Sequence, residues 1–183
     1  MIDAQLEMTD KIGYLLLKKG IIDHKILEQS LRIKDNDQTK LKRNLAQILV
    51  DEFGYDHDII FREVAVLYAF KELNIHPEEI PDERMTEIKN LMTRQGKEVQ
   101  KMLLEHRVIP YKFDEKQKDK LILAAVDPTD RNIAKVAYTL NIKKYEINYL
   151  RKKDYEKLIS LLVASENEYL KLVQEAGEEI QVV

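Results

Sequence analysis

Cysteine is absent from all 183 residues, which excludes disulfides, cysteine-ligated metals and thiol nucleophiles. A chain with no thiol fits a reducing compartment, and a soluble cytoplasmic protein is expected. Glycine is scarce. Gly13, Gly20, Gly54, Gly96 and Gly177 stand far apart, so neither a Gly-x-x-x-x-Gly-Lys-Ser/Thr phosphate loop nor a Gly-x-Gly-x-x-Gly dinucleotide turn can be built. Neither sign of charge dominates: 30 Lys and Arg stand against 33 Asp and Glu. That balance lacks the basic footprint with which proteins neutralise phosphates, so no nucleic-acid partner is expected. Long apolar runs are also missing. Leu121 to Val126, and Ile159 to Ala164 around one serine, fall well short of the roughly 20 residues that span a bilayer. The opening MIDAQLEMTDK lacks the basic-then-apolar order of a signal peptide. Direct membrane insertion is therefore not expected, and any membrane association would run through a partner.

Catalytic groups are equally sparse. The serines are Ser30, Ser160 and Ser165, and no Ser–His–Asp constellation accompanies them. Of the histidines, His24 and His57 each follow an aspartate at equivalent places. A zinc site needs three or four converging ligands, so both are read as solvent-facing first-turn residues. Carboxylate pairs such as Glu78/Glu79 read as solvated surface. No metal, cofactor or catalytic residue is expected.

What is present is apolar periodicity. Hydrophobic residues make up 44% of the chain, enough for a core. Thr9 or Asp10 can cap a first helix through Ile12, Leu15 and Leu16, stopped at Gly20, which reaches a left-handed backbone cheaply. Asp23 can cap a second helix through Ile26, Leu27, Leu31 and Ile33, followed by a loop over Lys34 to Lys40. A third helix carries Leu45, Ile48 and Leu49, and Asp56 can cap a fourth through Ile59, Ile60, Val64 and Leu67. These halves repeat. A slide of 33 residues lays Lys11–Lys34 on Asn44–Leu67, matching Leu16 with Leu49, Asp23 with Asp56, His24 with His57 and Ile26 with Ile59.

Pro77 and Pro81 then mark a turn-rich connection. Asp82 can cap a long helix carrying Met85, Ile88, Met92, Val99, Met102 and Leu103, with Gly96 a candidate break. The last third alternates. RVIPYKF reads as an edge strand holding a proline, and LILAAV as a strand buried on both faces. A helix over Arg131 to Leu140, a strand near Tyr145 to Leu150 and a helix over Asp154 to Val163 complete a β-β-α-β-α order. Between them, Asp127 and Thr129 can accept backbone hydrogens, Pro128 sets the turn and Asp130 favours a helix N-terminus. The expected class is α+β: a duplicated helical subdomain over 1–75, a small layered α/β unit over 76–163 with its leading helix, and an acidic linker or tail over 164–183.

KIGYLLLKKGIIDHKILEQSLRIK, then RVIPYKF and LILAAVDPTDRNIAKVAYTLNIKKYEINYLRKKDYEKLI, resemble the N-terminal region of type II secretion and type IV pilus assembly ATPases, over about residues 10 to 163. The resemblance implies a module that docks an ATP-hydrolysing motor onto the cytoplasmic domain of an inner-membrane platform protein. A complete, stand-alone adaptor of the same fold is the variant of that reading. Some relatives bind cyclic di-GMP through the duplicated helices, and the places implied here are Lys11, Gly13, Leu16, Gly20, Leu27, Leu31 and Lys34. The match departs from that pattern. Lys11 and Lys34 replace arginine and glutamine, and Asn44, Ala46, Phe53 and Leu67 stand at the second copy's arginine, glycine and glutamine places. Lysine lacks the planar fork that grips a guanine edge or phosphate with two bonds. Tyr14, Phe53, Tyr55 and Phe61 are the residues considered for an exposed apolar docking patch.

Overall fold

The structure, a computed structural model, describes residues 10–38 and 42–163. The chain divides into two compact units, Met1–Glu72 and Leu73–Val183. The expected acidic tail over 164–183 lies outside the described residues, as does Thr9.

The first unit is all helical: α1 (Lys11–Lys18), α2 (His24–Asn36), α3 (Leu45–Phe53) and α4 (His57–Leu67). Each opens on a side-chain cap that satisfies a backbone N–H the first turn leaves unpaired. Asp10 accepts from the Gly13 N–H, Asp23 from Ile26 and Asp56 from Ile59. Asn44 and Gln47 cap α3 reciprocally as a capping box. α2 extends to Asn36, three residues into the stretch expected to be loop. The Asn36 side chain donates to the Arg32 carbonyl, and Lys34 is tied to Asp10, which together hold that last turn.

The repeat is real in its buried face and displaced in its caps. At 33 residues, Ile12/Leu45, Leu16/Leu49 and Leu27/Ile60 are all buried. The first caps, Asp10 and Asn44, stand 34 residues apart. The equivalence of Gly20 with Phe53 is therefore corrected: the left-handed backbone, φ 69° in both copies, belongs to Gly20 and Gly54. α3 starts later and runs longer than α1, and the turn behind it is shorter, so apolar phase and cap spacing part by one residue.

The second unit opens with a 3₁₀ turn (Pro77–Glu79), then α5 (Asp82–Thr93) and α6 (Lys97–Glu105). The single long helix expected here is two helices broken at Gly96, whose φ is 93°. Asp82 is the first residue of α5 and Pro81 precedes it at the cap, so the carboxylate serves the helix dipole instead. Next come β1 (Val108–Phe113), β2 (Lys120–Ala125), α7 (Ile133–Thr139) and β3 (Lys144–Tyr149), and a helix α8 described over 152–163. The sheet order is β1-β2-β3, antiparallel between β1 and β2 and parallel between β2 and β3. β2 is central, which explains an apolar run with no polar face. Pro110 sits in edge strand β1, where the register shifts before Lys112.

The β1–β2 loop is organised by Asp114, whose Oδ1 accepts the Lys116 and Gln117 N–H groups, each at 2.8 Å. The Gln117 bond first, then that of Lys116 and the charge of Lys120, hold this carboxyl below its ordinary 3.8. Folding therefore lowers the pKa. The loop's stabilisation is present above pH 3.8 and is lost as pH falls through the lower folded value. An NMR titration of the Asp114 carboxyl should place its midpoint below 3.8, and a midpoint at or above that value would contradict these bonds.

Candidate functional site

The seven ligand-place residues of the first copy do not form one accessible surface. Leu16 and Leu27 are core residues, exposed by 0% and 1%. Gly13 is buried on α1, and a Cβ there would lie 2.6 Å from Leu27 Cδ1 and 2.7 Å from Leu45 Cδ2. Its missing side chain is thus occupied by packing between α1, α2 and α3. Lys34 donates to Asp10 Oδ2 at 2.6 Å, with Asp10 itself buried and capping α1. That bond closes the first hairpin by joining the end of α2 to the start of α1. Lys11 and Gly20 are exposed, and Leu31 is half-buried.

The second copy is closed differently. Its Ala46 is fully buried, and Asn44 is spent on the α3 capping box. Arg43, one residue before the cap, donates to Glu52 Oε1 at 2.7 Å and to Asp37 Oδ2 at 3.2 Å. Glu52 first, then Asp37, push its pKa up, and the guanidinium is bound to carboxylates of its own unit.

Histidines and aromatics distribute in ways the periodicity did not resolve. His24 is exposed, but His57 is not the solvent-facing residue expected. Its imidazole stacks on Phe61 with centroids 4.1 Å apart and planes at 8°, leaving 10% of the side chain exposed. Phe61 is only 2% exposed and drops out of the docking patch, while Tyr14, Phe53 and Tyr55 are half-buried. Among the described residues of this unit, the exposed large apolar side chains are Ile59 (55%), Val66 (65%) and Tyr68 (48%). Ile59 and Val66 stand seven apart on α4, two turns along one face. The periodicity places both Ile59 and Ile60 on the apolar face, and only Ile60 is buried. The seven-residue spacing was the available signal for this stripe.

The Asp127–Asp130 corner leads from β2 to α7. Asp127 Oδ1 accepts from the Thr129 N–H at 2.9 Å and its hydroxyl at 2.6 Å, and Pro128 is buried. Asp130 Oδ1 accepts from the Asn132 N–H and amide, and its Oδ2 lies 2.8 Å from His106 Nδ1. His106 closes α6, so this bond ties the corner to the helix pair, and no spacing rule in the sequence joins the two residues. Among the described residues no group of three or more His, Cys, Asp and Glu converges to hold a metal. No described helix is long and apolar enough to cross a membrane.

Against known proteins, no family profile matches the sequence, and no curated protein matches it. A solved chain from the structure of MshE with cdg matches the three-dimensional fold with a TM-score of 0.56. The match covers 80% of this chain and 94% of that one. The two chains share a fold. At 17% identity the likeness reaches the arrangement of helices and strands and does not extend to side-chain roles.

Proposed function

We propose that this chain is a non-catalytic docking module of a secretion or pilus-assembly ATPase, and that it binds the cytoplasmic domain of an inner-membrane platform protein. It would work in the cytoplasm, held near the membrane by that partner. The observation that carries this reading is the exposed stripe Ile59, Val66 and Tyr68 beside a well-filled core. The fold shared with MshE and the family-like order of the α/β segments support this type of machine. Surface plasmon resonance against the platform protein's cytoplasmic domain is the test. Val66→Asp should weaken binding about tenfold or more while leaving urea unfolding unchanged, because a charge would be desolvated at the interface. Binding that is unaltered by Val66→Asp and Ile59→Asp would remove this surface from the proposal.

A second reading, cyclic di-GMP sensing, is favoured by the cdg bound in the MshE structure and by the exposure of Lys11 and Gly20. It requires Gly13, Leu16 and Leu27 to leave the core, or the ligand to bind without them, and for that reason it stands second. Titration calorimetry with cyclic di-GMP separates the two. Saturable heat abolished by Lys11→Ala would make the chain a second-messenger sensor, whereas no heat at about millimolar ligand leaves the docking reading in place.

A further inference from the structure

We propose that the outer edge of β3 pairs with the same edge of a second copy of this chain, antiparallel about Tyr145. β3 lies at the end of the sheet, and β2 is the only strand laddered to it among the described residues. Two bonds give its parity. The Tyr149 carbonyl accepts the Leu73 N–H on the outer side, and the Leu150 N–H donates to Ala125 on the inner side. Backbone groups alternate sides along a strand, so Tyr145 and Ile147 direct both N–H and C=O outward. Leu73 already uses the far end, and among the described residues no backbone group is bonded to the stretch around Tyr145 and Ile147 on that side.

The two edges of this sheet are not alike. β1 carries Pro110 and a register shift, two devices that blunt strand addition. β3 pairs in unbroken register over six residues and contains no proline. An unblunted edge is a template for another strand.

The sequence of β3 fits itself. A two-fold axis through Tyr145 sets Lys144 opposite Glu146 of the second copy, twice over, and Tyr145 opposite its own equivalent on the other face. Moving the axis to Glu146 sets carboxylate against carboxylate. Moving it to Ile147 demands the Tyr149 edge that Leu73 occupies. Only the Tyr145 register satisfies charge and backbone together. Lys144 is available for the exchange: its ion pair with Asp119 is 2.6 Å long but 62% and 63% exposed at its two side chains, and exposed pairs contribute little. Glu146 accepts from Lys120 Nζ at 3.0 Å, and its carboxylate would take Lys144 of the second copy as a further cation. Tyr145 is itself 36% exposed.

Sedimentation equilibrium of the full chain, up to about 1 mM, should show concentration-dependent growth toward twice the monomer mass. Lys144→Glu should weaken self-association about tenfold, by turning two attractive pairs repulsive, and Lys144→Arg should retain it. Circular dichroism checks that each variant is folded. Amide exchange of the wild-type chain requires no variant: the Tyr145 and Ile147 N–H groups should slow as concentration rises. A chain that stays monomeric throughout overturns the proposal. So does a dimer indifferent to Lys144→Glu, one lost in Lys144→Arg, or exchange at Tyr145 and Ile147 independent of concentration.

Discussion

Gly13→Val is expected to destabilise the helical unit by about 2–3 kcal/mol, the upper part of the roughly 1–3 kcal/mol typical of overpacking a filled core. The Cβ alone would enter at 2.6 Å from Leu27 Cδ1 and 2.7 Å from Leu45 Cδ2. Those leucines are 1% and 0% exposed, so neither side chain has empty space to turn into. Valine then adds two methyl groups on a β-carbon with restricted rotamers. Its higher helix propensity recovers only a few tenths of a kcal/mol, roughly the gap between glycine and valine in a helix interior. Urea denaturation of the full chain, followed by helical circular dichroism, measures the difference. A loss near zero would mean that α1 stands farther from α2 and α3 than the structure places it. In that event Gly13 would again be open to a ligand's approach.

Leu123→Ala should cost about 3 kcal/mol in the second unit, within the 2–5 kcal/mol usual for a buried leucine truncated to alanine. Leu123 lies at the middle of β2, paired with Pro110 on one side and Ile147 on the other, and is 0% exposed. Both neighbours are tied by the ladder, so the cavity cannot collapse by moving a strand. Amide exchange at Leu121 and Ala125 reports this unit separately from the helical one. If protection there were unchanged, Leu123 would not be the keystone of the sheet that its position suggests.

These two variants probe what was legible in the sequence to different degrees. Leu123 was legible: six apolar residues with no polar face imply a strand covered on both sides, and β2 is that strand. The cap at Asp23, the break at Gly96 and the repeated helical hairpins were equally readable, because each depends on residues within a turn or two of one another. Gly13 was not. Its glycine matched a ligand-site pattern by position, and only the approach of α2 and α3 shows what fills the space beside it. Lys34 is similar, since its partner Asp10 is 24 residues away in the chain.

The candidate docking surface shows the same division at finer grain. Ile59 and Ile60 are neighbours of nearly equal hydrophobicity, yet one is 55% exposed and the other 0%. Phe61 reads as a surface anchor but is buried against His57. Apolar periodicity states that α4 has a covered face. Which of three adjacent apolar residues points into it depends on how the helix is rotated by its neighbours α1 and α3.

By itself, the sequence determined the class of the fold, the order of its elements, the caps at Asp10, Asp23 and Asp56, and the chemistries that thiol-free, glycine-poor composition forbids. Those properties follow from backbone preferences and side-chain types acting over a few residues. Tertiary structure alone decided that Gly13 is a packing contact, that His106 meets Asp130, that Ile59 and Val66 face outward, and that β1 shifts register at the edge of the sheet. Each depends on distances between residues far apart in the chain. Helix rotation and strand order set those distances, and both are decided only when the whole core packs at once.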